Sequence, residues 1–194
     1  MTFDPLILPI VISVCSLIVS ILVAYFTLFH KGNVKMTPPT LIYFGADAGS
    51  RDTKSTAPKV YLRTLLYSSA KRGNVISSLY VRLTRGETIQ TFNIWAYGEV
   101  GALMPGSGLF VGEQGVAFNH HFLPPADGTA FKFLAGDYLL ELFAVQVNHA
   151  KPKLLWSVAL DLPQHLFDRM STELAGGLYY EWQPNSGKYY VHHR

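Results

Sequence analysis

The stretch VISSLYVRLT, residues 75–84, decides the fold class of this chain. Its apolar and polar residues alternate over most of its length. One face of an extended chain carries Val75, Leu79, Val81 and Leu83, and the other carries Tyr80, Arg82 and Thr84. Because successive side chains of a strand point to opposite faces, this pattern predicts a strand with one face in a core and one in water.

Other runs of β-branched and aromatic residues, bounded by Gly, Pro, Asn and Asp, surround this strand. They are TLIYFG (40–45), KVYLRTLLY (59–67), TIQTFNIWAY (88–97), TAFKFL (129–134), DYLLELFAVQV (137–147) and KLLWSVALDL (153–162). Turns such as TRGE (84–87) are short enough to join antiparallel neighbours. The spacing predicts an all-β, antiparallel β-sandwich.

Two segments near the end of the chain depart from this pattern. Residues 163–175, PQHLFDRMSTELA, predict one short helix with an apolar stripe, ended by a pair of glycines. Residues 178–193 then predict a terminal hairpin around the turn PNSG.

The segment FLAGDYLLELFA, in which Gly-Asp-Tyr enters an alternating strand, resembles the tyrosine-corner region of immunoglobulin-like domains. The resemblance places Tyr138 in the corner position and implies an immunoglobulin-like sandwich. It covers about a dozen residues, and it implies a fold without an activity.

The N-terminal part of the chain is of another kind. Leu6–Phe29 contains no Asp, Glu, Lys or Arg, and as a helix it would be about 36 Å long, enough to span a bilayer. A cleaved signal peptide is the alternative, but the basic n-region is absent. We therefore predict a transmembrane anchor at residues 1–29, a linker at 30–39 and a β-sandwich domain at 40–194.

Orientation is predicted from the charges that flank this helix. No Lys or Arg precedes it, whereas Lys31, Lys35, Arg51 and Lys54 follow it. Positive charge stays on the cytoplasmic side, so we expect a single-pass membrane protein with its N-terminus outside and its C-terminal domain in the cytoplasm. The one cysteine of the chain lies inside the helix, which agrees with a domain that has no disulfides.

Small residues form a stripe along the predicted anchor, and its members are Ser13, Ser16, Ser20, Ala24 and Thr27. Such stripes let helix backbones approach closely in lipid and so favour association with another membrane protein or a second copy. The alternative is that the hydroxyls bond to their own backbone and bind no partner.

The stretch FNHHFLPP, residues 118–125, holds the candidate ligand-binding residues His120 and His121, which we expect in a loop. Histidine is a common metal ligand, but adjacent residues of an extended chain point to opposite faces. A metal site would need further ligands such as His149, Asp137 or Glu141. The glycine-rich stretch MPGSGLFVG (104–112) lacks the βαβ context of a phosphate-binding loop, so a flexible connection is expected.

Charge is unevenly distributed along the chain. Residues 31–85 hold ten Lys or Arg against two Asp, and residues 86–194 hold six against ten acidic residues. Six basic residues are therefore candidates for contact with anionic headgroups, with solvated loops as the alternative. They are Lys31, Lys35, Lys54, Lys59, Lys71 and Arg72.

These features lead to two functional hypotheses. The first is a non-enzymatic, membrane-anchored β-sandwich that acts as an interaction or accessory subunit at the membrane surface. It would contact lipid and either another membrane protein or its own copies, without a cofactor and without nucleic acid. The second is a small-ligand or metal-binding receptor, or a hydrolase, whose site lies near His120 and His121.

Overall fold

The computed structural model describes residues 7–30, 32–47, 57–98, 103–125, 131–147, 149, 151–172 and 176–194. Helix α1 spans Ile7–Ala24 and continues into a π-helical turn at Tyr25–Phe29, and α2 spans Gln164–Thr172. The strands are β1 Val34–Met36, β2 Leu41–Ala46, β3 Pro58–Ser68, β4 Asn74–Arg85, β5 Thr88–Phe92, β6 Ile94–Tyr97, β7 Met104–Pro105, β8 Leu109–Val111, β9 Val116–Leu123, β10 Gly136–Gln146, β11 Lys153–Leu162, β12 Gly177–Gln183 and β13 Lys188–His193.

The strands form two antiparallel sheets with the core between them. The first sheet has the order β13-β12-β2-β3-β9-β6-β7, and β1 pairs with β3 beyond the end of β2. The second has the order β11-β10-β4-β5, and β8 pairs with the beginning of β4. The predicted sandwich, with an N-terminal apolar helix, one short helix and a terminal hairpin, is confirmed. The immunoglobulin-like assignment stays a prediction.

Strand β4 shows why the alternation in residues 75–84 is incomplete. Leu79, Val81 and Leu83 are buried, as predicted, but Val75 is 43% exposed and Ile76 takes the core position. The register between β4 and β10 shifts here, because Ser78 pairs with Val145 while Ile76 pairs with Gln146. The bulge adds one residue to β4 and reverses which face each side chain takes.

The core is filled from both inner faces. Its fully buried large side chains include Ile42, Phe44, Leu62, Phe92, Phe122, Leu140, Leu142 and Tyr180. Rings gather towards one end of the core, where Phe133 stacks on Phe44 with centroids 5.1 Å apart and lies 6.3 Å from Phe92. An aromatic cluster of this kind buries a large apolar area and fixes how the two sheets pack.

Tyr138 closes the same region of the core. It is 2% exposed, and its hydroxyl donates to the Leu134 carbonyl at 2.6 Å and accepts from the Leu134 N–H at 2.8 Å. Burial raises the pKa of this phenol. The side chain thus satisfies both backbone polar groups of a residue that no strand contains.

Some predicted elements differ from the structure. Residues 131–134 of the predicted strand 129–134 are not in a strand, and 129–130 lie outside the described residues. The predicted strand 88–97 is two strands, because the chain leaves the second sheet after β5 and joins the first sheet at β6. Strands β1, β7, β8 and β9 were not predicted.

The predicted linker at 30–39 contains strand β1. Val34 is 1% exposed and pairs with Ser68, and the backbone bonds continue from the Thr37 N–H to the Leu65 carbonyl at 3.0 Å. An apolar residue every second position, at Val34 and Met36, lets this short segment complete the core edge. The chain therefore enters the sheet within a few residues of the helix.

Helix α1 differs from every other element in its surroundings. The apolar segment Ile7–Phe29 has a mean hydropathy of 2.8, and no residue in its most apolar stretch of 18 residues is buried in the protein. It is long and apolar enough to span a membrane.

Candidate functional site

His120 and His121 lie side by side on β9, not in a loop as predicted, and they point to opposite faces of the first sheet. His120 pairs with Leu62 on one side and with Tyr97 on the other, whereas His121 pairs with Tyr61 and Ala96. The two imidazoles therefore belong to different environments, as expected for consecutive residues of a strand.

His120 is a core residue. It is 0% exposed, and its Nδ1 accepts a hydrogen bond from the Trp95 indole N–H at 3.2 Å. That bond places the proton of the neutral ring on Nε2, an atom that has no hydrogen-bond partner among the described residues. Burial, and secondarily the neighbouring His121, lower the pKa of His120 to about 4. The ring is neutral at pH 7.

His121 lies on the outer face of the same sheet. Its ring is 4.9 Å from that of Tyr61, whose hydroxyl donates to Asn119 Oδ1 at 2.8 Å. Register extends this pair into a row of aromatic side chains across five strands. From one edge the row is His192, Tyr179, Tyr43, Tyr61 and His121.

Tyr43 occupies the middle of this row. It lies over Gly45 and Gly177, where an added Cβ would stand 2.2 Å from the Tyr43 hydroxyl and from ring atom Cε2, respectively, so both positions favour glycine. Burial is the main reason why the pKa of Tyr43 is raised to about 12. The Lys59 ammonium lies 5.9 Å above the ring and pairs with Asp47 at 2.8 Å.

The further metal ligands considered from the sequence lie elsewhere. Glu141 is in the second sheet, where both its oxygens accept from Arg82, at 2.7 and 3.0 Å. Asp137 is at the start of β10 and His149 follows its end. Among the described residues, no group of three or more His, Cys, Asp or Glu is placed to hold a metal ion.

Three hydroxyls of the helix stripe donate hydrogen bonds within the helix. Ser13 donates to the Pro9 carbonyl and Ser20 to the Ser16 carbonyl, each at 2.8 Å, and Thr27 donates to the Val23 carbonyl at 2.7 Å. These are the backbone bonds that serine and threonine form inside helices. The donor hydrogens of Ser13, Ser20 and Thr27 are thus already used within the helix, while their oxygens keep acceptor capacity.

The segment that follows the π-helical turn contacts one end of the sandwich. A cavity of 440 Å³ separates Phe26, Thr27 and His30 from the turn between β3 and β4, and its lining also includes Glu113. The Asn33 N–H donates to Ser69 Oγ at 2.8 Å, the Ser69 N–H donates to the Asn33 carbonyl at 2.9 Å, and Lys153 Nζ donates to Asn33 Oδ1 at 2.7 Å. We call this the helix-proximal end of the domain.

The proposed headgroup-facing residues divide according to this geometry. Lys35, on β1, and Lys71 and Arg72, in the turn between β3 and β4, are exposed at the helix-proximal end. Lys59 is different, because its side chain is 12% exposed and is paired with Asp47. Lys31 and Lys54 lie outside the described residues.

An apolar row at the helix-proximal end was missed by sequence reasoning. Phe110 is 60% exposed and pairs with Val75, which is 43% exposed. Val147, 47% exposed, donates its N–H to the Val75 carbonyl at 2.9 Å. The three side chains adjoin a cavity of 270 Å³ that is also lined by Arg72 and His149. The sequence indicated this row only through Val75, which is followed by a second apolar residue, Ile76, and so breaks the alternation of β4.

No protein-family model matches this chain, and no curated protein or solved structure matches it significantly.

Proposed function

We propose that this chain is a single-pass, membrane-anchored β-sandwich that works as a non-enzymatic interaction or accessory subunit at the cytoplasmic membrane surface. The observation that carries the proposal is α1. Its apolar side chains are exposed along the whole segment Ile7–Phe29, although the sandwich has a filled core of its own. Apolar surface of this length matches the hydrocarbon thickness of a bilayer.

The proposed orientation places the sandwich in the cytoplasm. Lys35, Lys71 and Arg72 lie on the domain side of the helix and are exposed close to its end, where the positive-inside rule has its effect. A reporter fused after Arg194 should be active when it is a cytoplasmic reporter. Activity of a periplasmic or lumenal reporter at the same position would reverse the orientation.

The non-enzymatic part of the proposal is supported by the positions of the histidines. His120 is enclosed by Trp95, Phe118 and Phe122, and its lowered pKa keeps it neutral. His121 is on the opposite face of the sheet, so the two rings do not converge on one ligand. The alternative, a ligand- or metal-binding receptor or a hydrolase, needs a site that includes at least one of them.

The experiment that separates these functions uses the full chain purified from membranes in mild detergent. Under the proposal, alkaline extraction leaves the chain in the membrane fraction, crosslinking captures a defined membrane partner or a second copy, and metal analysis finds no stoichiometric metal. Stoichiometric metal that is lost in His120→Gln or His121→Gln, with partner capture absent, would establish the alternative.

A further inference from the structure

We propose that the helix-proximal end of the sandwich is itself a lipid-binding surface, in which Phe110, Val75 and Val147 enter the interfacial layer of the bilayer leaflet next to α1. Exposed basic residues beside them would bind the phosphates of anionic headgroups. This inference rests on the proposed membrane anchor and assigns anionic lipid as the partner of the helix-proximal end.

A short series of contacts connects Phe110 to Asn33. Asn33, which follows the helix, is hydrogen-bonded to Ser69 in both directions. The turn that contains Ser69 ends at Gly73, and the Phe110 ring lies over Gly73, where an added Cβ would stand 2.5 Å from ring atom Cζ. Gly73 has φ +71, a conformation that also favours glycine. The Phe110 ring is therefore held beside the turn that is hydrogen-bonded to Asn33.

The three side chains of the apolar row are exposed and adjacent. Phe110, Val75 and Val147 are 60%, 43% and 47% exposed, and they are neighbours in the sheet because β8 and the residue after β10 flank the start of β4. Aromatic and aliphatic side chains next to cationic ones are typical of protein surfaces that enter the boundary between headgroups and acyl chains.

Charge at this end complements an anionic surface. Among the described residues, this end carries one carboxylate, Glu113. The basic side chains here are Lys35, Lys71, Arg72, Lys151 and Lys153. Arg72 and His149 line the 270 Å³ cavity beside the apolar row, which gives a headgroup phosphate donors on the protein side. Anionic lipids attract such clusters close to the membrane surface.

The opposite end of β4 supplies a matched control. Ile89 is 62% exposed, nearly as much as Phe110, and pairs with Thr84. Val75 and Thr84 are nine residues apart on one strand, so Ile89 lies about 30 Å from the apolar row at about 3.4 Å per residue. It is an exposed apolar side chain that the proposal places away from lipid.

The test uses the full chain in vesicles of phosphatidylcholine and phosphatidylglycerol. An environment-sensitive fluorophore is attached to Phe110→Cys or Ile89→Cys, each in a Cys15→Ser background, and to Cys15 of the unaltered chain, which holds the single cysteine of the protein. Quenching at positions 110 and 89 is measured with lipids that carry a spin label near the headgroup, and quenching at Cys15, which lies inside the apolar segment Ile7–Phe29, with lipids that carry the spin label deep in the acyl chain. We expect several-fold stronger quenching and a blue-shifted emission at position 110 relative to 89. Lys71→Glu with Arg72→Glu should remove most of that difference.

Each remaining outcome overturns the proposed lipid-binding surface. The label at Cys15 shows in each case whether α1 is nevertheless inserted in the membrane. If lipid quenches the label at Cys15 but quenches positions 110 and 89 equally weakly, the helix is inserted and the sandwich does not contact the bilayer. If position 110 is blue-shifted without lipid quenching, a protein covers the row. If lipid does not quench the label at Cys15, the anchor itself fails, and the lipid-binding surface fails with it.

Discussion

Replacing Tyr138 by Phe removes one hydroxyl from the sandwich core and leaves the ring in place. In the native protein that hydroxyl joins the N–H and the carbonyl of Leu134, at 2.8 and 2.6 Å. Without it, both backbone groups lose this partner, although water can replace part of it because Leu134 is 41% exposed. Each of the two hydrogen bonds contributes about 0.5–1.5 kcal/mol net. We expect Tyr138→Phe to lower the free energy of unfolding by about 1–3 kcal/mol.

Tyr138→Ala removes the ring as well, so the loss should rise to about 3–5 kcal/mol, as for other large aromatic truncations in cores. Chemical denaturation of the full chain in detergent measures both variants. Tryptophan fluorescence is a suitable signal, because Trp95, Trp156 and Trp182 all belong to the sandwich. Tyr190→Phe is the control, since Tyr190 is 57% exposed, and it should change stability by less than about 0.5 kcal/mol. Equal stability of Tyr138→Phe and Tyr190→Phe would refute the reasoning about the hydroxyl.

Three further predictions address other parts of the structure. Gly106→Ala should destabilise by about 1–3 kcal/mol, because its Cβ would stand 2.0 Å from the Trp95 ring, whereas Gly112→Ala meets no atom closer than 3.6 Å and serves as its control in the same denaturation assay. The pKa of His120 is about 4 in the folded protein, against an ordinary value of 6.5 that applies to the unfolded chain. As the pH falls, the unfolded chain therefore binds this proton first. The free energy of unfolding should fall by up to about 3 kcal/mol between pH 6.5 and pH 4. His120→Gln should remove that part of the pH dependence, and an unchanged slope of unfolding free energy against pH would contradict the assignment. Replacing Ser16 and Ser20 by Leu should reduce crosslinked or co-purified species while membrane insertion persists, and identical complexes would show that the helix is only a tether.

Sequence patterns predicted most of the long strands because each carries its own signal. In β3, β4 and β10 the residues that face the core recur at every second position, and this periodicity depends only on the chain itself. Where a bulge inserts one residue, as at Ser77 in β4, the periodicity changes phase. Its position depends on pairing with β10, which no single segment reveals.

The environment of the histidines required information from distant strands. His120 shares a strand face with Phe118 and Phe122, and this spacing was the available signal that β9 is a strand with His120 turned inward. Its burial, however, depends on Leu62 and Tyr97 in the flanking strands. The apolar row escaped detection for a related reason, because β8 has three residues and is defined only by pairing with β4.

The attachment of α1 to the sheet has a mechanical consequence. Strand β1 begins at its helix-proximal end and runs antiparallel to β3, with Val34, Lys35 and Met36 opposite Ser68, Tyr67 and Leu66. A pull on α1 that is directed along the axis of β1 would load its ladder bonds in shear, so that they share the force instead of opening one at a time. If α1 is the membrane anchor proposed above, tension between a bilayer and a partner bound to the sandwich would reach the centre of the first sheet through β3.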